Sequence, residues 1–322
     1  MTAITNTYIT TGANKAIGQR EDLTDAIWNV SPLLTPFTSK ISKEKAKAIY
    51  HEWQQDSLAA ASLTNYYNEG DDVSSFTQVT PTTRNGNYCQ ILRKDVIIAD
   101  TLEAVDKAGR KSELAYQITK KGKELRKDIE ATVLNNQARS ATDPRKLAGV
   151  ESWLKTNTTK GTGAAADPST ADGTATRTDG TAVALSEANF QTLLQNIFTN
   201  SGEVPDMVLA TPRHKVAISK FNGGSSRTVY DKAEDNVLHT AIDVYSSDFG
   251  DVKIVTSLLN RGSASAPSLY ALNTDYWALA NLRPIMQKEL AKTGDAEKRI
   301  LITEVTLVSR NEAASGGMFD LT

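Results

Sequence analysis

Three histidines, one cysteine and a few serine and acidic clusters are the residues of this chain that could carry chemistry. Their spacing argues against it. His51, His214 and His239 lie far apart, and none falls in a metal-ligand pattern such as HExxH, where two imidazoles one helical turn apart share a zinc ion. Each reads as an ordinary structural or surface histidine. Ser225 and Ser226 sit in NGGSSR, which follows no apolar strand and lacks the GxSxG turn that aims a nucleophile out of a sheet. The run GTGAAA at 161–166 fits the loose dinucleotide pattern GxGxxA, but no strand precedes it to seat a pyrophosphate at a helix N-terminus. Asp71, Asp72, Asp172 and Asp179 could in principle hold a cation; none has the alternating spacing of a calcium loop, so they read as solvated loop acids. Cys89 is the only cysteine, which excludes an intramolecular disulfide framework and a multi-cysteine zinc site. The expectation is a protein with no catalytic, cofactor or metal site.

Charge points the same way. The chain has 322 residues, 23% of them charged, and a formal net charge of −2. No global field favours nucleic acid or an anionic membrane. Local excesses exist: Lys40, Lys43, Lys45 and Lys47 cluster, and residues 101–139 hold nine Lys or Arg against six Asp or Glu. Such a face could meet phosphate non-specifically, but a mixed-charge helix face is more often solvated or packed on a neighbouring subunit. The N-terminus has neither the basic start nor the apolar stretch of a secretory signal. No run approaches the roughly eighteen apolar residues of a membrane span, so a soluble protein made in a cytoplasm is expected.

The elements explain more than the side chains do. Residues 1–44 are polar, with scattered apolar anchors and a candidate short helix from about Asp22 to Val30, and read as an arm. Ala48–Gln54 and Tyr88–Ala99 read as the two strands of a long hairpin, joined by about thirty Ser-, Thr-, Asn-, Asp- and Gly-rich residues that include NEGDD at 68–72 and RNGN at 84–87. From about Asp100 to Asn136 the pattern is one long helix, with Asp100 and Glu103 spaced as a capping box. Leu102, Val105, Leu114, Ile118, Leu125, Ile129 and Val133 form its apolar stripe. It would be roughly 50 Å long or more unless Gly109 or Gly122 interrupts it. Residues 155–185 read as an exposed loop. From Ser186 a small α+β unit begins. Ser186 caps a helix with an apolar face at Phe190, Leu193, Leu194, Ile197 and Phe198, ended by Gly202; MVLA at 207–210 is a buried strand. Thr211 and Pro212 open a second helix anchored by Val216, Ile218 and Phe221. Further strands are expected at Ile242–Tyr245, Val252–Thr256, Ser268–Leu272 and Tyr276–Ala280. Arg299–Ser309 is the clearest long strand and should pair beside the long helix.

This order of parts resembles the major capsid proteins of tailed bacteriophages with the Hong Kong 97-type fold. The sequence is similar to one group of them at NGNYCQILRKDV (85–96), AGRKSELAYQITKKGKELRKDIEATVL (108–134) and RKLAGVESWL (145–154). It is also similar at VLATPRHKVAISKF (208–221), VYSSDFGDVKIV (244–255) and AKTGDAEKRILITEVTLVSRNEAA (291–314). The resemblance implies an α+β capsid fold with an N-arm (1–44), an extended β-hairpin loop (45–99) and a peripheral domain with a spine helix (100–185). An axial domain (186–282) and return strands of the peripheral domain (283–322) complete it. It implies a structural protein, not an enzyme, that assembles into an icosahedral shell through hexamers and pentamers in the host bacterial cytoplasm. Its partners would be further copies of itself, a scaffolding protein, a portal and a decoration protein. Packaged double-stranded DNA would be met non-specifically at most, and no membrane is involved. No lysine occurs between Lys47 and Lys94, so the isopeptide bond that welds some relatives' shells lacks its nucleophile, and noncovalent clasping is expected. The first hundred residues leave no room for a large cleaved scaffolding domain, so a separate scaffolding protein is expected.

Candidate contacts between subunits are Trp28, Phe37, Trp53, Tyr66, Tyr67, Phe76, Lys120 and Lys127. A tail-tube or decoration protein is the alternative reading, although neither needs a spine helix flanked by a hairpin and a split domain. A small-molecule-binding enzyme is the weakest, given the empty motif search.

Overall fold

A computed structural model describes residues 35–73, 76, 78–106, 109–221, 244–260 and 267–322. Most of the expected arm, its helix at 22–30, Trp28, Ser225, Ser226 and His239 lie outside the described residues. The chain runs α1 (Pro36–Lys40), β1 (Ser42–Lys45), β2 (Tyr50–Gln55), β3 (Thr83–Tyr88), β4 (Gln90–Ala99), α2 (Asp100–Ala104), α3 (Glu113–Val133) and α4 (Val150–Trp153). It continues β5 (Thr158–Thr159), α5 (Glu187–Ser201), β6 (Met207–Ala210), α6 (Pro212–Ile218), β7 (Val244–Ser247), β8 (Gly250–Thr256) and β9 (Leu269–Leu272). A 3₁₀ turn (Thr274–Tyr276), β10 (Trp277–Glu289), β11 (Ala296–Ser309) and β12 (Gly316–Met318) close it.

Two sheets and one ribbon organise these pieces. The first sheet has the order β1-β10-β11-β4, the second β5-β12-β9-β6-β8-β7, and β2 pairs with β3 alone. β11 is antiparallel to β10 on one edge and to β4 on the other, which satisfies the expectation that the last long strand pairs beside the helix. α3 lies on one face of this sheet: Lys94 of β4 reaches Asp128 at 2.6 Å, and Leu125, Ile129 and Val133 are buried. Within the second sheet, β6 (MVLA) and β9 (LYAL) read as continuous apolar runs because both of their faces are covered. Val208 and Ala210 join Phe190, Leu193, Leu194 and Ile197 of α5 in one core. Met207, Leu209, Tyr270 and Leu272 point into the other core, which also takes Ile129, Val133, Trp277 and Leu307 from the first sheet and its helix. That second core joins the two sheets.

Several expectations need correction. The long helix is two: α2 ends at Ala104, and α3 starts at Glu113, capped by Ser112, whose Oγ accepts from the Ala115 N–H at 3.2 Å. Gly109, at φ 74°, lies between the two helices in the left-handed conformation that favours glycine, whereas Gly122 lies within α3. At 21 residues α3 is about 31 Å long, not 50 Å. No capping box forms; Asp100 pairs with Lys292 at 3.1 Å, and Glu103 accepts from the Glu113 N–H at 3.0 Å. Leu102 and Val105 are exposed instead of opening a buried stripe. The hairpin pairs differently too. Tyr50–Gln55 pairs with Thr83–Tyr88, so RNGN lies in a strand, while Gln90–Ala99 joins β11 in the first sheet. The strand expected at Tyr276–Ala280 is the beginning of a 13-residue strand of that same sheet.

The Gly- and Thr-rich tract is not a free loop. Arg177 within it is fully buried, with Nη1 donating to Asp167 at 3.1 Å and Nη2 to Asp320 at 3.3 Å, and its guanidinium lies 3.8 Å from the Phe319 ring centre. Its backbone exchanges hydrogen bonds with the Asn136 side chain at 2.8 and 2.9 Å. Small residues allow this packing: a Cβ on Gly173 would fall 2.7 Å from Ala148 Cβ. Ser186, Gly202 and Thr211 cap their helices as expected, and Ile218 is buried, but Val216 and Phe198 are substantially exposed. Phe198 stacks on Phe249 at 5.2 Å instead.

His214 of α6 is fully buried, and neither ring nitrogen has a hydrogen-bond partner among the described residues. Burial first, and the Arg213 charge second, hold its pKa below the usual histidine value. The unfolded chain therefore binds a proton near pH 6.5 that the folded chain refuses, so stability present above that pH is lost as pH falls through it. Denaturant titrations between pH 8 and 5 should show this loss. In His214→Gln the part of the slope near pH 6.5 should shrink but not vanish, because burial also holds the His51 pKa low, provided the variant retains a cooperative transition.

Candidate assembly interface

The β2–β3 ribbon is held at its base by one buried polar side chain. Asn87 Nδ2 donates to Leu307 O at 2.8 Å and to Ala148 O at 3.3 Å, while its Oδ1 accepts from Ala148 N at 2.8 Å and Tyr88 N at 2.9 Å. It ties the ribbon to β11 and to the start of α4. Gly86 is required beside it, because a Cβ there would lie 2.7 Å from the Tyr50 ring and 2.9 Å from His51 O. The Arg139 guanidinium donates to Gly86 O and lies 5.5 Å from the Tyr50 ring, which packs on Tyr88 at 4.6 Å. Trp53 packs on Trp153 at 5.5 Å, and Gln55 Nε2 donates to Ser309 O and Arg310 O at 3.0 and 2.7 Å. The base is therefore rigid and aims the connecting segment.

That segment is bare. Residues 56–82 join the two strands, and every described residue among them is exposed. Leu58, Leu63, Tyr66, Tyr67, Val73, Phe76 and Val79 all stand out, with Phe76 90% exposed. A soluble monomer rarely presents this much contiguous apolar surface without a partner to cover it. The segment carries Asp56, Glu69, Asp71 and Asp72 but no Lys or Arg.

The start of the described chain is anchored just as firmly. Both carboxylate oxygens of buried Glu130 accept from the N–H groups of Phe37 and Thr38, at 2.9 and 2.8 Å, at the beginning of α1. Burial still pushes the Glu130 pKa up despite these donors. Phe37 is fully buried, edge-on to Trp277 at 6.1 Å. Lys40 pairs with Asp206, which also accepts from Thr274 N and Oγ1 at 2.8 and 2.7 Å. Burial raises the Asp206 pKa, but these donors outweigh it and hold the carboxyl below its usual range.

Nothing in this geometry resembles a reaction centre. The Cys89 thiol is buried and pushed up to about 11, chiefly by burial, so it is a poor nucleophile. The expected loop acid Asp172 is spent on its own turn, accepting from Thr170 Oγ1 at 2.7 Å and Thr174 N at 3.0 Å. Among the described residues no group of three or more His, Cys, Asp or Glu could hold a metal ion. An open groove of about 610 Å³ lies beside Asn135, Arg139, Asp143, Lys146 and Thr176.

The expected contact residues thus divide. Tyr66, Tyr67 and Phe76 are offered to solvent, Lys120 is exposed and Lys127 half-buried. Phe37 and Trp53 are used within the chain, and Trp28 lies outside the described residues. Sequence reading missed Asn87, Glu130, Arg177 and Glu304, the last bridging Arg145 at 2.9 Å and Arg283 at 2.8 Å. Only Glu130 carried a signal, as an acid set between Ile129 and Ala131 on the apolar side of the helix pattern.

The family model described as SU10 major capsid protein matches residues 3–322. The major capsid protein of Escherichia phage Phieco32 is 28% identical over 344 residues, covering 94% of each chain. Among solved structures, the capsid of a native GTA particle superposes with a TM-score of 0.62 at 12% identity, covering 98% of this chain and 99% of the other. A structure of phage G gp27 major capsid proteins and gp26 decoration proteins gives 0.57 at 12% identity, covering 96% of this chain and 100% of that one. These structural likenesses show the fold.

Replacing Asn87 by Ala leaves buried Ala148 N and Leu307 O without their partner. At about 1–3 kcal/mol for each unsatisfied group, Asn87→Ala should lower the unfolding free energy by roughly 2–6 kcal/mol. It should also speed proteolytic cleavage in the neighbouring ribbon. Urea denaturation combined with limited proteolysis checks both.

Proposed function

Because the chain belongs to the SU10 major capsid protein family and is a structural protein of a phage capsid shell with the Hong Kong 97-type fold, we propose that its shell is held noncovalently, through the segment at 56–82 and the arm preceding α1. The observation that carries this reading is the contrast at the hairpin: a base fixed by Asn87, Gln55 and Trp53, and a tip whose large apolar side chains are all exposed among the described residues. A rigid base reduces the ordering cost of docking, while the exposed tip retains apolar surface to bury on a neighbour. Many modest contacts per subunit, closed by symmetry, make the lattice far tighter than any pair.

In this reading residues 1–44 are the N-arm and 45–99 the extended loop. Residues 100–185 together with 283–322 make the peripheral domain, and 186–282 the axial domain. The sheets support a finer division, since β10 begins the return to the first sheet at Trp277 and the short strands β5 and β12 belong to the second. Subunits would group as hexamers and pentamers, assembled in the host cytoplasm with a scaffolding protein and a portal, and a decoration protein could be added to the outside. Packaged DNA would meet the inner face non-specifically.

Negative-stain microscopy of the purified protein, with a scaffold where needed, should show closed icosahedral shells; tubes would favour the tail-tube reading. Denaturing electrophoresis of mature shells should give one band at the chain mass, and a ladder of covalent oligomers would overturn the noncovalent reading. Limited proteolysis should cut within 56–82 in free subunits and spare it in shells.

A further inference from the structure

Among its exposed residues, α3 carries only one kind of charge and no large apolar side chain. Those residues are Ala115, Thr119, Lys120, Lys123, Arg126 and Ala131. The four acids of the helix are all used within the chain. Glu113 accepts from Arg110, Glu124 from Lys121 at 2.7 Å, and Glu130 from the α1 backbone, while Asp128 takes Lys94 at 2.6 Å. Lys120, Lys123, Arg126 and half-buried Lys127 form no ion pair among the described residues. Steps of three and four residues keep them in one stripe along the helix. Alternation along β10 and β11 separates this stripe from the ribbon. Leu279, Val305 and Leu307 pack with Ile129 and Val133 of α3, whereas Ala278, Ala280 and Val308 share another core with Ala46 and Cys89. Ala46 and Cys89 flank the ribbon strands, so the first sheet has α3 on one face and the root of the hairpin on the other.

We infer that this face of α3 is a docking surface for duplex DNA, which it meets through phosphates and without regard to sequence. The surface rests on the capsid reading and adds to it a place and a mode of contact. The chemistry of the patch decides between partners. A protein interface needs an apolar centre to bury, and this face offers none. A phosphate backbone needs only cations that displace its counterions and room to approach them. Ala115, Thr119 and Ala131 leave that room, because their side chains are small. The acids that would repel phosphate are each matched from within the chain. No exposed Asn or Gln of α3 is present to read a base edge, so the contact carries no sequence preference. The hairpin leaves from the opposite face of the sheet, so clasping neighbours through it does not require covering α3.

Two measurements test the surface. Free subunits are titrated with a short, labelled, mixed-sequence duplex across a series of salt concentrations. Four phosphate contacts should make log affinity fall with log salt at a slope of about −4. Lys120→Gln with Lys123→Gln and Arg126→Gln should weaken binding about tenfold or more at low salt and reduce the slope by about three. Exchanging the same residues for other cations (Lys120→Arg, Lys123→Arg, Arg126→Lys) should preserve both. Neutralising Lys43, Lys253 and Lys288, which are exposed elsewhere, should leave both nearly unchanged. Equal losses from the two neutral sets, or none from the stripe set, would overturn the inference. The second measurement is chemical protection in shells of the unaltered protein, so it stands even where a neutral set misfolds. Brief acetylation should label Lys120 and Lys123 readily in free subunits and in empty shells, and several-fold less in shells filled with DNA. Equal labelling in filled and empty shells would overturn the inference. So would full protection in empty shells, since a protein would then cover the stripe. Failure of the wild-type protein to form any shell counts against the capsid reading, whereas normal shells whose stripe ignores DNA count only against this surface.

Discussion

The fold depends on β11 being hydrogen-bonded along both edges. It runs from Ala296 to Ser309 and takes β10 on one side and β4 on the other. The strand that completes the first sheet is therefore among the last segments of the chain, and its partner β4 lies about two hundred residues earlier. Such pairing carries a large loop-closure entropy cost before it returns any hydrogen bonds. Buried Glu304 lies within it, holding Arg283 from the neighbouring strand and Arg145 from the turn after α3. A buried carboxylate is tolerable because two guanidinium groups satisfy it, and removing either would strand a charge. Asn87 and Gln55 then attach the ribbon to Leu307, Ser309 and Arg310, at the end of this same strand.

Around that frame the polar groups fall into two populations. One is spent inside the chain: Glu130 on α1, Asp206 on Lys40 and Thr274, Arg177 on Asp167 and Asp320, Glu151 on Ser268 and Tyr270. Each joins segments distant in sequence and so fixes how the two sheets and the arm meet. The other population, on the α3 stripe and the hairpin tip, meets no opposite charge within the described chain. A shell protein needs both, since a loose frame would spread the binding free energy over many orientations.

Periodicity made the elements legible where packing is local. Ser186, Gly202, Thr211 and Pro212 set helix ends through groups one or two turns away, and MVLA at 207–210 declares a strand covered on both faces. The chain misled where partners are remote. Ala48–Gln54 and Tyr88–Ala99 look like mates because each alternates. Yet Gly86 fits only against Tyr50 and His51, and the apolar face of β4 has better cover under α3. The Gly- and Thr-rich tract looked solvated because its composition lacks apolar bulk; a single arginine threaded between Asp167, Asp320 and Phe319 orders it. Gly109 and Gly122 are alike in sequence, and only the backbone at Gly109 turns left-handed.

The sequence by itself determined the α+β class, the caps of α5 and α6, the long final strand and, through its likeness to known shells, the role. These rest on residue identity and short-range spacing, which a linear chain displays. Tertiary structure decided which strands pair, where the spine begins, which acids and cations cancel, and which aromatic groups remain exposed. Those outcomes depend on competition between segments far apart in the chain, settled by which arrangement buries apolar surface while leaving the fewest polar groups unpaired.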